Sequence, residues 1–328
     1  YSIGIKRLLT GHLEASMTET AAEPRKSWAA LEIEVKRTDE DLACWLLMQC
    51  GAQGCEVEGL DGQPAEGGKV RVRATFDSAV IAQSDFDSII GSFEEYGLAE
   101  SLKTLKRKDV PEEDWLARWK EGFEPFRVGT MFIVAPSWYH PQADSECAGK
   151  LDSDLVGNRK VIYIEPGMAF GTGLHATTQF CLRALESFPP RKRILDVGTG
   201  SGILAIAAAL LCNDCQICAV DIDPVAVDFA AKDLELNDVD GRIELLVGST
   251  DVAQGRLFDM LLSNLTCEDI VALLPDYARL LATGGVVLCA GILAEKLPLL
   301  EKAATEKGFQ IVQSETIGHW VGVVLQKG

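Results

Sequence analysis

Nowhere in the 328 residues is there an apolar run of the ~18 residues that a membrane-crossing helix needs. The longest, around Ile203 to Cys212, reads as a buried helix, and no membrane role is expected. Basic residues are scarce: 31 Lys and Arg stand against 49 Asp and Glu, for a net charge of −18. An acidic chain repels phosphate backbones, so direct nucleic-acid binding is disfavoured and a basic partner favoured, unless the acidity serves solubility alone. Neither internal repeats nor long low-complexity tracts occur, and no signal peptide is expected from the start as given. The 10 cysteines are scattered through apolar segments and lack the spacing of a disulfide framework. Reduced thiols and a cytoplasmic setting are therefore expected. What remains is an ordinary globular composition, 47% apolar and 24% charged, long enough for one large and one small domain.

Residues 1–27 open on Tyr1 and contain a candidate internal start at Met17, so they are set apart as a tail. Residues 28–107 read in order as strand, helix, strand, strand, helix, strand. Ala30 to Lys36 alternates apolar and charged residues, as a half-buried strand does. Thr38 to Asp41 is expected to cap a helix through Met48. Strands are expected at Gly54–Leu60, Lys69–Phe76 and Ser101–Lys106, with a helix at Phe86–Tyr96. That order is the split βαβ, ferredoxin-like arrangement. Residues 108–126 form a connector, with Trp115 and Trp119 on one helix face, where they pack between domains.

From residue 127 to 328 the units are longer. Strands at Met131–Ala135 and Val161–Glu165 flank an acidic loop, Gln142 to Asn158. After a helix at His175–Leu185, strands and helices alternate. The strands fall at Ile194–Val197, Ile217–Asp221, Ile243–Val247, Met260–Ser263 and Val286–Ala290, and the helices at Ile203–Leu211, Pro224–Leu236, Ile270–Leu281 and Glu295–Lys307. Two closing strands, Gln310–Thr316 and Trp320–Gln326, are joined too tightly for anything but an antiparallel hairpin. The fold expected is α/β: a doubly wound, mostly parallel seven-stranded sheet with a smaller α+β domain in front.

The sharpest local signal is Asp196-Val197-Gly198-Thr199-Gly200-Ser201-Gly202, between a short apolar strand and an apolar helix. Glycines there let the backbone turn tightly and approach a ligand. The dinucleotide fingerprint needs a third glycine where this chain has Ile203. The loop suits instead a nucleoside cofactor whose amino-acid part lies over it. Asp221, ending the next strand, can accept hydrogen bonds from ribose hydroxyls, whereas Asp223, followed by Pro224, reads as a helix cap. Asn264 ends a later strand, on the side where ligands of open α/β sheets sit. Its amide oxygen can orient an attacking amine, or the residue can simply cap a loop. Cys212, Cys215 and Cys218 have ligand-like spacing but no fourth partner, so no metal is expected.

The string Glu165-Pro166-Gly167-Met168-Ala169-Phe170-Gly171-Thr172-Gly173-Leu174-His175-Ala176-Thr177-Thr178 is far more specific. It resembles the hallmark of the ribosomal protein methyltransferases of the PrmA type, class I enzymes that modify the large-subunit ribosomal protein numbered eleven. Asp114-Trp115, Trp119-Lys120, Pro136-Ser137-Trp138, Asp221 to Pro224 and Gly291 to Ala294 also look like that family. The likeness runs from about residue 111 to the end and rests on element order alone over residues 28–107. Leu174 and Ala176 stand where Thr and Pro are usual beside the histidine, and Asn264 is followed by Leu-Thr in place of Ile-Leu.

The resemblance implies S-adenosyl-L-methionine as cofactor and a basic large-subunit ribosomal protein as substrate. It implies transfer to lysine and α-amino groups, and a front domain that recognises the substrate. Cofactor positions carry over onto Thr178, Gly198, Asp221 and Asn264, with Gly200 and Gly202 in the same loop and Phe170 and Gly171 in a loop that closes over the cofactor. Asn264 is the expected catalytic residue, orienting the amine. His175 is expected to order its loop through Thr177 and Thr178 and not to act as a base. A monomer is expected. Three rivals stay open: a methyltransferase for another protein or a small molecule, a non-catalytic cofactor-binding module, and a nicotinamide oxidoreductase, which Ile203 disfavours.

Overall fold

The computed structural model describes residues 28–52, 54–60, 68–77, 83–110, 123–165 and 173–328. The first described elements are β1 (Trp28–Lys36), α1 (Glu40–Gln49), β2 (Gly54–Gly59), β3 (Lys69–Asp77), α2 (Gln83–Glu95) and β4 (Lys106–Val110). These strands form an antiparallel sheet in the order β2-β3-β1-β4, which is that of a split βαβ unit. Period-two alternation sends Leu31, Ile33 and Val35 onto one face, where they meet Leu42, Leu46 and Leu47 of α1 and Ile89 and Phe93 of α2. The alternate positions carry charge, and Arg73 bridges Glu32 of β1 and Glu56 of β2. Burial alone would raise the Glu32 carboxyl, but Lys108 and Arg73 hold it below its ordinary value.

Two local expectations fail here. The last strand begins at Lys106, because Ala99–Thr104 coils into a 3₁₀ helix. Leu98 is buried, with Leu102 and Leu105 packed against the same core, a spacing that suits a turn and not a strand. Asp39 occupies the N-cap of α1 but caps nothing with its side chain. Its carboxylate bonds instead to His319 Nε2, 3.1 Å away on a hairpin at the far end of the sequence.

Residues 111–122, with Trp115 and Trp119, lie outside the described residues. A three-stranded sheet follows: β5 (Phe126–Val128), β6 (Phe132–Pro136) and β7 (Lys160–Ile164), with β5 antiparallel and β7 parallel to β6. Phe126, read as connector, thus begins a strand. The acidic loop between β6 and β7 holds a short helix, α3 (Ser153–Val156), capped by Asp152.

The rest is a doubly wound sheet. Its elements are α4 (Ala176–Ser187), β8 (Arg193–Val197), α5 (Ile203–Leu211), β9 (Gln216–Asp221), α6 (Pro224–Leu236), β10 (Ile243–Val247), β11 (Phe258–Asn264), α7 (Cys267–Leu280), β12 (Leu281–Leu293), α8 (Leu297–Glu306), β13 (Phe309–Ile317) and β14 (Trp320–Lys327). The seven strands lie in the order β10-β9-β8-β11-β12-β14-β13. Only β14 runs against its neighbours, as the tight closing hairpin requires. Helices α4, α5 and α6 cover one face and α7 and α8 the other. Both faces are therefore buried, which explains the near-continuous apolar runs of β8, β9 and β11.

One polar pair sits deep in this core. Ser263 Oγ and Tyr277 Oη, both fully buried, lie 2.8 Å apart. Tyr277→Phe leaves the serine unpartnered and is expected to lower stability by about 1–3 kcal/mol, read as a drop in urea midpoint with the slope unchanged. An unchanged midpoint would mean that this bond contributes nothing. The thiols bring one correction: Cys212 and Cys215 are joined as a disulfide where α5 gives way to β9, against the expectation of reduced cysteines throughout. The turn between helix and strand brings their Cα atoms to 5.6 Å, within bonding reach. The other eight are free.

Candidate active site

The strand order reverses between β8 and β11, and their carboxyl ends open into one cavity of about 540 Å³. That is an ordinary volume for a cofactor-sized ligand, at the place where doubly wound sheets bind them. Its floor is the glycine loop. Gly198 N and Thr199 N both donate to Val220 O, at 2.9 and 3.0 Å, so the loop is tied to β9. Gly198 sits at φ +69°, a left-handed conformation that favours glycine, and the Leu265 side chain fills the space a Cβ would need. Gly200 N donates to Asp221 Oδ2 at 2.9 Å, and Asp223 N donates to Asp221 Oδ1 at 3.0 Å. One carboxylate thus fixes the loop and the start of the next turn, and each oxygen keeps a lone pair for a ligand. Asp223 itself caps α6, accepting from Val225 N at 2.9 Å, as its neighbouring proline suggested.

A second wall comes from α4 and β11. His175 is the N-cap of α4, with Nδ1 2.7 Å from Thr177 Oγ1. Burial lowers its pKa, opposed by the charge of Asp41, so the ring is neutral near pH 7. Its Nε2, in a ring lining the cavity, has no hydrogen-bond partner among the described residues. Thr178, almost wholly buried, accepts from Asn264 Nδ2 at 3.2 Å. That bond fixes the Asn264 amide and leaves its Oδ1 without a partner among the described residues.

Two buried acids lie just behind the surface. Burial pushes the Asp196 carboxyl up to about 7 against the hydrogen bond from Thr199 Oγ1, 2.7 Å away. Burial likewise pushes Asp233 up to about 7, although it accepts from Glu165 N at 2.8 Å. Both bind a proton more tightly in the folded chain than in the unfolded one, where aspartate titrates near pH ~3.9. Folding therefore takes up protons between about pH 4 and the folded values near 7, and stability is expected to fall as pH rises through that window. Asp233→Asn keeps an acceptor for Glu165 N and removes one titration. The loss of urea stability between those limits should then become shallower, and an unaltered pH slope would remove Asp233 from the account.

The structure brings Thr178, Gly198, Gly200, Asp221 and Asn264 to one cavity. Gly202 starts α5 from behind the floor and packs toward Leu234 of α6. Phe170 and Gly171 lie outside the described residues. The sequence reading missed several lining groups. Gly248 and Ser249 follow β10, and Gly248 N bonds to Asp221 O at 2.8 Å. The parallel register that aligns Val247 with Asp221 was the available signal for them. Trp320 begins the last strand, and Trp45 and Gln49 come from α1 of the front sheet. No local pattern links residues so far apart in sequence.

A family model described as ribosomal protein L11 methyltransferase (PrmA) matches residues 27–328. The ribosomal protein L11 methyltransferase of Heliobacterium modesticaldum is 41% identical over 224 residues, covering 67% of this chain and 66% of that protein. The protein of the same description from Bacillus cereus strain B4264 is 31% identical over 324 residues, covering 90% of this chain and 98% of that one. Among solved structures, a ribosomal protein L11 methylase from Lactobacillus delbrueckii subsp. bulgaricus superposes with a TM-score of 0.54 at 29% identity, over 63% of this chain and all (100%) of that one.

Proposed function

This chain belongs to the ribosomal protein L11 methyltransferase family, and from that premise we propose that it transfers methyl groups from S-adenosyl-L-methionine to lysine and α-amino groups of ribosomal protein L11. One observation carries the reading: a family match across residues 27–328 coincides with a cavity at the sheet's switch point that joins a glycine loop, a strand-end acid and a strand-end amide. The donor set fits the cofactor. Gly198 and Gly200 present backbone with no side chain in the way, and Asp221 offers two acceptor oxygens beyond β9 for ribose hydroxyls. Thr178, buried beside Asn264, would hold the amino-acid end.

When bound, the cofactor supplies a methyl carbon activated by a sulfonium. The chain itself has to supply alignment and a neutral amine. A lysine amine is protonated in water near neutral pH, with a pKa of about 10.4, so entry into a largely apolar cavity favours the form that can attack. Asn264 Oδ1 would accept a hydrogen bond from that amine and direct its lone pair at the reacting carbon. His175, neutral and held by Thr177, orders the first turn of α4 and so the position of Thr178. Residues 28–107 would recognise the protein substrate, residues 108–126 connect, and residues 127–328 carry the reaction. The substrate is basic and the chain, at −18, is acidic, which favours their encounter and disfavours direct contact with RNA. The chain acts in the cytoplasm as a monomer.

The test is transfer from labelled S-adenosyl-L-methionine to purified ribosomal protein L11, read by mass spectrometry, with a small amine as control. Mass gains on L11 alone would establish reaction and substrate together. Cofactor binding with no transfer to L11 would send the search to other acceptors.

A further inference from the structure

We propose that Trp45 of α1 builds part of the acceptor site, forming with Trp320 an aromatic corner that holds the alkylammonium end of the substrate lysine. The inference rests on the amine-methylating reading above and extends it to a residue of the front unit.

The argument begins with the two faces of α1. Leu42, Ala43, Leu46 and Leu47 are buried in the front unit's own core. Asp41, Trp45 and Gln49, spaced four apart, share another face. That face meets the doubly wound sheet. Asp41 lies close enough for its charge to act on His175, and Trp45 and Gln49 line the cavity beside Asn264. The Trp45 and Trp320 ring centroids are 5.4 Å apart with planes at 74°. Trp320 also meets the His175 ring at 4.8 Å and 72°. Rings set nearly at right angles make a corner, not a stack. Tyr96 packs edge-on against Trp45 at 5.9 Å and 83°.

The chemistry of the corner is selective. Indole faces are electron-rich and attract alkylammonium ions, and methylated ammonium most of all, because it has little hydration to lose. The histidine beside it is neutral, so it does not repel a cation. Asp41, whose charge reaches His175, and Asp269, which lines the cavity, add negative potential. Trp320 Nε1 and His175 Nε2 are buried without partners among the described residues, so the corner is lined by ring carbons and not by exposed polar atoms. A lysine side chain is long, apolar and tipped with a cation, and it matches this lining. The corner receives the ammonium form, whose proton is lost to solvent as the amine moves on to Asn264, and a side chain of the same length with no amine is not held.

The test uses the full chain saturated with S-adenosylhomocysteine. Nα-acetyl-Nε-trimethyllysine amide, a fixed cation, is titrated by calorimetry, with Nα-acetylnorleucine amide as the uncharged control. The unmodified chain should bind the cation and not the control. Trp45→Leu keeps apolar bulk and should weaken cation binding by roughly tenfold, whereas Trp45→Phe should lose no more than about threefold. S-adenosylhomocysteine affinity should be the same in all three, which also verifies folding. In case the leucine variant does not fold, tetrafluorotryptophan at position 45 retains the shape and drains the ring face, and it too should weaken the cation. Equal cation affinity across these chains, or no binding by the unmodified one, overturns the proposal. Methylation of L11 is measured alongside, with a raised KM and spared kcat expected for Trp45→Leu. Trp45-dependent cation binding without transfer to L11 would sink the substrate assignment and leave this inference standing.

Discussion

Asp221→Ala is expected to weaken S-adenosylhomocysteine binding by roughly a hundredfold or more, the largest loss of any single substitution in the cavity. Two effects combine. The carboxylate would accept two ribose hydroxyl bonds, and hydrogen bonds to a charged group contribute about 1.5–3 kcal/mol each. It also receives Gly200 N and Asp223 N, so its removal frees the loop that forms the floor. Asp221→Asn retains one acceptor oxygen and should fall between the two. Calorimetric titration of both variants decides the matter, and affinity within threefold of the unmodified chain for Asp221→Ala would mean that the ribose is held elsewhere. Asp223→Ala is the internal control: it removes only a helix cap, costs about 1 kcal/mol of stability, and should leave affinity nearly intact.

The second large effect separates binding from turnover. Asn264→Ala should lower kcat by roughly a hundredfold to a thousandfold, in the range of losing one positioned polar group in an active site. The S-adenosylhomocysteine Kd should change by no more than a few fold, because Asp221 and the loop remain. The Asn264 amide is held by Thr178 Oγ1 at 3.2 Å, and Thr178→Val should misorient it and reproduce part of the loss. Single-turnover transfer to L11 under saturating cofactor measures the chemical step. Were kcat to survive in Asn264→Ala, the residue would be a loop cap and nothing more, which its position at the end of β11 also permits.

These expectations draw on features that were unequally visible in the sequence. The glycine loop, Asp221 and the cap at Asp223 were legible because each is local. A strand, a turn and a helix start lie within a few residues, and their conformations follow from residue types alone. The closing hairpin was legible from loop length. Where reading failed, a distant partner or a neighbouring turn had overridden the local signal. Asp39 looked like a helix cap but is engaged by His319. Ser101–Lys106 looked extended, yet its leucines take a turn to reach the core, and the strand starts where Lys106 enters the β1 ladder. Cys212 and Cys215 carried a spacing that served several chemistries, and only the turn between α5 and β9 chose among them. Trp45 and Trp320 meet through tertiary packing, for which no short window holds a clue.

The core of the front sheet does not end with the front sheet. Leu293, Trp320 and Ala176, which belong to the other half of the chain, are buried in the same cluster as Leu46, Phe76 and Phe93. Modularity is therefore only apparent. Grafting a different front unit onto residues 127–328 would strip the cover from Trp320 and leave an apolar patch prone to self-association. Any successful chimera has to import the partner surface of α1 along with the new front sheet.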